Sequence, residues 1–198
     1  RDPKIGFTGN INDVSANDGI KVNMSAQSSM KLDGDMFNPY LEPVSLKAGW
    51  NWIGYPLSVG LTIDNALVGM KSEVGDFVVN ITDGFSQYDG EKWIGTLNVM
   101  VPGKGYLMKS ASDKEFIYNT LSVHSYKTLM AKAGEQIELP WSVDVRKYPN
   151  VMCVTAELYA NELKSDDGRY VVAAFVDGEC RGIGKTIGDK VFLMVHGG

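Results

Sequence analysis

Acyl transfer by a serine or cysteine needs a base within hydrogen-bond reach, and the chain offers two histidines for that role, His124 and His196. His124 falls in a polar stretch between β-rich segments, and His196 stands two residues from the end. Neither lies in a pattern such as GxSxG. Glycoside cleavage needs two carboxylates flanking the sugar bond. Asp83, Asp89 and Glu91 gather around "DGFSQYDGEKW", but Asp-Gly pairs are turn formers first. "VPGKGY" (101–106) has the glycines and lysine of a phosphate cradle, yet a Walker loop needs GxxxxGK[ST] opening a helix. Here Lys104 is followed by Gly105-Tyr106 and an extended segment, which reads as a Pro-Gly turn. "NDVSANDG" and "LDGDMFN" are oxygen-rich without the spacing and distal Glu of a calcium loop, so they read as polar turns. Two histidines and no CxxC leave no zinc set. The chemistry therefore points away from an enzyme, and no metal or cofactor is expected.

The aromatic residues remain. Trp50, Trp52, Tyr88, Trp93 and Tyr106 could stack on sugar rings, whose C–H faces suit an aromatic surface. Strand alternation puts Trp50, Trp52 and Gly54 on one face of "GWNWIG" and Asn51, Ile53 and Tyr55 on the other. Large apolar groups on both faces suggest a strand buried on each side, with Trp50 and Trp52 covered by the helix that follows. Trp93, just after the polar turn "YDGEK", can serve core or ligand equally; with Tyr88 and Tyr106 it is the first place to look for binding.

These residues must be positioned by short β-strands, because Gly, Asn, Asp and Ser punctuate the chain every ~8–12 residues. One segment differs. "LTIDNALVGM" offers Thr62 as an N-cap, Asp64 in the first turn, and Ile63, Ala66, Leu67 and Met70 at helical spacing. A short helix over about 62–70 is expected to cover a sheet.

A faint repeat lies at an offset of 86, placing Phe7–Leu32 over Trp93–Tyr118 with Gly9 on Gly95, Asn12 on Asn98 and Gly19 on Gly105. Residues 1–42 then read as the tail of a preceding repeat, or as the start of the first domain. Residues 43–118 read as a β module with one short helix, and 121–198 as a β-sandwich-like domain cut short at its C-terminal end. The boundary falls near 119–125. Asp177-Gly178 marks a tight hairpin in the last segment. Glu179 and Arg181, flanking Cys180, suit an ion pair, and Met108, Met152 and Met194 suit core positions.

Cys153 and Cys180 permit one disulfide and demand none. A net charge of −5 without a basic cluster argues against nucleic acid. No apolar run reaches the ~20 residues of a membrane-spanning helix. A chain that opens on Arg rather than Met reads as a mature product or an excised piece.

The order "GWNWIGYP", short helix, "FSQYDGEKWIG", "VPGKGYLMK", "EFIY" resembles a repeat module of large secreted, cell-surface proteins of Bacteroidetes and other microbes. Residues 43–118 cover it once, and residues 7–32 match its second half with "ANDG" in place of the Pro-Gly-Lys-Gly turn. The stretch from Trp141 through "AFVDGECRG" is similar to another domain of the same kind of protein. The resemblance implies export to the cell surface and a place in a longer chain, and it carries no established activity. The expectation is a non-enzymatic, monomeric extracellular module for adhesion or glycan binding, with a glycan or host matrix protein as partner. The alternatives are a structural spacer and, more distantly, a hydrolase.

Overall fold

The computed structural model describes residues 14–22, 26–27, 29, 34, 38–39, 41–118, 139–160, 163–164 and 170–198. The boundary at 119–125 with His124, parts of the repeat over 7–32, and most of "LDGDMFN" lie outside the described residues. What is described is mainly β, built from antiparallel sheets with one short helix.

The first part runs β1 (Val44–Leu46), β2 (Gly49–Gly54), β3 (Leu61–Thr62), α1 (Ile63–Ala66), β4 (Phe77–Asn80), β5 (Gly84–Tyr88), β6 (Trp93–Gly95), β7 (Val99–Met100), β8 (Gly105–Ser110) and β9 (Lys114–Phe116). Five of these strands form one sheet in the order β2-β8-β4-β5-β6, while β1 pairs with β9 and β3 with β7. The reversal into β8 is the expected Pro-Gly turn, with Gly103 at φ +72 where a side chain would be strained. Lys104 is engaged in an ion pair with Asp83, as suits a turn rather than a phosphate cradle. β6 approaches β5 so closely that a Cβ on Gly95 would sit 2.2 Å from the Phe85 carbonyl oxygen.

The helix is one turn rather than the expected 62–70. Thr62 caps it, accepting from the Asn65 N–H at 3.4 Å, and the chain then continues as turns through Met70. At Gly69 a Cβ would lie 2.9 Å from the Ile117 carbonyl, so tertiary contact with the neighbouring segment replaces the second helical turn. The apolar spacing still does its work, because Ile63, Ala66, Leu67 and Met70 are all buried.

The second part runs β10 (Asn150–Ala156), β11 (Tyr159–Ala160), β12 (Leu163–Lys164), β13 (Ala173–Val176), β14 (Glu179–Ile183), β15 (Lys185–Ile187) and β16 (Lys190–Gly197). β16 is central, pairing with β10 on one side and β15 on the other. The β13–β14 hairpin turns at Asp177 and Gly178, both with positive φ (50 and 81), the geometry that an Asp-Gly turn supplies. Glu179 and Arg181 pair along β14, and the Arg181 guanidinium lies 4.2 Å from the centre of the Tyr148 ring.

Candidate binding groove

Register decides what each face of the five-stranded sheet does. One face carries Ile53, Val78, Tyr106, Met108 and Trp93 into the main core, packed with Ile63, Ala66, Leu67 and Met70 around α1. The opposite face carries two rows across the strands. Trp50 lies opposite Lys109, then Phe77 and Gln87; Trp52 lies opposite Leu107, then Val79 and Phe85.

The second part of the chain covers only part of that second face. Phe192 of β16 packs on Val79 and Phe85, its ring 5.6 Å from that of Phe85, with Cys153, Ile187 and Met194 around it. Phe77 stacks on Phe85 at 5.1 Å. Toward β2 the cover ends. Trp50 and Trp52 are 56% and 51% exposed, and Trp50 meets Phe77 edge to face at 6.1 Å. Two cavities open there, of about 320 and 360 Å³, meeting at Val79, Leu107 and Val151. The first adds Trp50, Phe77, Lys109 and Cys153 to its lining; the second adds Trp52, Ile20, Lys21 and Asn150. Together they form a groove between sheet and β10, walled by two tryptophans and floored by aliphatic side chains.

This reverses the expectation for Trp50 and Trp52. Alternation separated the faces correctly, but α1 packs on the Ile53 side, so the tryptophans point away from the core. Trp93 and Tyr106 belong to that core. Trp93 is 9% exposed, its backbone N–H donates to Asp64 Oδ1 at 3.0 Å, and its ring lies 5.6 Å from that of half-buried Tyr88. Tyr106 is fully buried; its hydroxyl accepts from the Val101 N–H at 2.7 Å, and desolvation pushes its pKa up to about 12. Trp93, Tyr88 and Tyr106 are thus brought together with the core, on the face opposite the groove. The polar turn before Trp93 is closed by Asp89, whose Oδ1 accepts from the N–H groups of Glu91 and Lys92 at 2.8 Å each. Those bonds hold the Asp89 carboxyl below its usual range.

The cysteines are both free. Cys153 sits on β10, facing the groove, and Cys180 is buried in the β13–β14 hairpin opposite Phe175, so the permitted disulfide is not formed. Burial raises the Cys153 thiol to about 11, so little thiolate exists at neutral pH.

A third cavity of about 280 Å³ lies at the far end of the contact between the two parts, lined by Thr82, Asp83, Lys185, Phe192 and His196 among others. His196 is buried, and desolvation lowers its pKa from 6.5, which keeps the ring neutral at pH 7. Its Nδ1 makes no hydrogen bond among the described residues. No group of three or more metal-ligating side chains occurs among the described residues, and none of their helices is long and apolar enough to cross a membrane. Compared with known protein families, curated proteins and solved structures, the chain matches none.

Proposed function

We propose that the chain is a non-enzymatic binding module of an exported surface protein, and that its ligand is a glycan seated in the groove beside Trp50 and Trp52. Export rests on the resemblance of "GWNWIGYP…PGKGY" and "AFVDGECRG" to secreted surface modules. The binding reading is carried by one observation. Two tryptophans, two residues apart on one strand, stand half open to solvent at a concave apolar surface. Folded domains rarely leave such large apolar rings exposed side by side unless something covers them. A spacer would bury them. The adjoining cavities give the ligand depth, and sugar rings suit the aromatic walls because their C–H faces are apolar while their hydroxyls stay in water.

The test is a glycan array probed with the wild-type chain and with Trp50→Ala/Trp52→Ala. Binding that falls at least roughly 30-fold in the double variant is expected, the loss typical of removing a central aromatic anchor. Because both rings lie outside the core, the variant should keep the wild-type circular dichroism. Equal binding by both proteins would move the site elsewhere. Absence of any glycan hit would leave the spacer as the better reading.

A further inference from the structure

Resting on that reading, we infer that the groove selects an acidic polysaccharide, one whose sugar rings bear carboxylate groups. Each cavity pairs one tryptophan with one lysine. Trp50 and Lys109 are direct cross-strand partners between β2 and β8, so their side chains stand together on the groove face. At the second cavity, Lys21 reaches across to the Pro149 carbonyl, its Nζ donating at 2.8 Å, which holds the ammonium beside Trp52. Among the described residues, neither cavity is lined by an aspartate or glutamate.

That local balance is opposite to the chain as a whole, whose net charge is −5. Several lysines elsewhere are held in ion pairs: Lys47 with Asp113, Lys104 with Asp83, Lys114 with Asp76, and Lys164 with Glu157 and Asp189. Lys71, Lys92, Lys185 and Lys190, like Lys109, have none among the described residues. Lys109 is also exposed. A positive group beside an exposed aromatic, repeated twice along one groove, fits a chain that repeats an apolar ring face and a negative group.

The spacing suits consecutive units. Residues two apart on a strand lie about 6.6–6.8 Å apart along it, so Trp50 and Trp52 offer two neighbouring platforms rather than one. An acidic peptide fits less well, since extended peptides gain most of their affinity by adding to a free strand edge. The outer edge of β2 is already occupied at its C-terminal end, beside Trp52, with Gly54 N–H donating to the Asn17 carbonyl at 2.7 Å and Asp18 bridging Ile53. Both edges of β8 are taken by β2 and β4.

The experiment compares a polyuronate, a sulfated polysaccharide, a neutral glucan and poly-glutamate as ligands, by calorimetry at low and at physiological salt. Proteins are the wild type, Lys21→Gln/Lys109→Gln and Trp50→Ala/Trp52→Ala. The expected result is strongest binding to the polyuronate, weakened by salt, with at least about a tenfold loss in each double variant. Neutral glucan bound as well as polyuronate, with loss only in the tryptophan variant, would overturn the acidic selectivity and leave the glycan reading standing. A preference for the sulfated chain would overturn the carboxylate assignment. Poly-glutamate binding as tightly as polyuronate would overturn the polysaccharide assignment. Both lysines are exposed, so unchanged melting of the lysine variant is the control for folding.

Discussion

Replacing Asp76 by alanine should destabilise the protein by about 3–5 kcal/mol, the range for breaking a buried ion pair by removing one partner. Asp76 has no solvent exposure and sits at the entrance to β4. Its Oδ2 accepts from the Glu73 N–H and from Lys114 Nζ, each at 2.8 Å, and its Oδ1 accepts from the Ala111 N–H at 2.7 Å. One carboxylate therefore ties the loop before β4 to the turn between β8 and β9 and neutralises a lysine whose side chain is 9% exposed. Glu73 Oε1, at 3.3 Å from the same ammonium, stays behind to compensate in part, which favours the lower end of the range. Thermal melting should fall by roughly 6–12 °C, at about 2–4 °C per kcal/mol for a chain of this size. Asp76→Asn, which keeps an acceptor but loses the charge, should fall less. A melting point within 2 °C of wild type for the alanine variant would refute this account of the loop.

The second large effect is expected at Phe192. Truncation to alanine should cost about 3–5 kcal/mol, the sum of lost burial and the cavity left behind. Phe192 is 1% exposed and is the place where β16 meets the open face of the five-stranded sheet, against Val79 and Phe85. Its removal weakens the second sheet and its seat on the first at once. Calorimetry should show both a lower midpoint and a broader or split transition, because the parts then melt less cooperatively. Trp52→Ala, on the same face but half exposed, should shift melting by far less. Equal losses at the two positions would mean that the groove wall carries as much packing as the contact does.

The contrast between these residues explains what could be read beforehand. Short-range signals were legible: the Asp177-Gly178 hairpin, Thr62 as a cap, and the burial of Ile63, Ala66, Leu67 and Met70 all depend on neighbours a few residues away. The faces of β2 were separable by alternation as well. Which face would be covered was not, because that depends on where α1 and Phe192 arrive from distant parts of the chain. One local clue did point outward. In "GYLMKS" Lys109 shares a face with Leu107, and the β2–β8 register sets Lys109 opposite Trp50, which marks that end of the face as wet. Trp93 misled in the opposite sense. Its preceding turn is polar, yet Asp89 closes that turn on itself, Asp64 holds the Trp93 backbone N–H, and the indole packs against Tyr88 in the core.

Hydroxyl-radical footprinting read by mass spectrometry measures which of the four tryptophans meet the ligand. In the free protein, Trp50 and Trp52 should oxidise fastest and Trp93 slowest, with Trp141, packed edge to face on Phe175, in between. Adding a polysaccharide that binds should protect Trp50 and Trp52 and leave Trp141 unchanged. Rapid oxidation of Trp93, or ligand protection that spares both Trp50 and Trp52, would contradict the groove as the binding site.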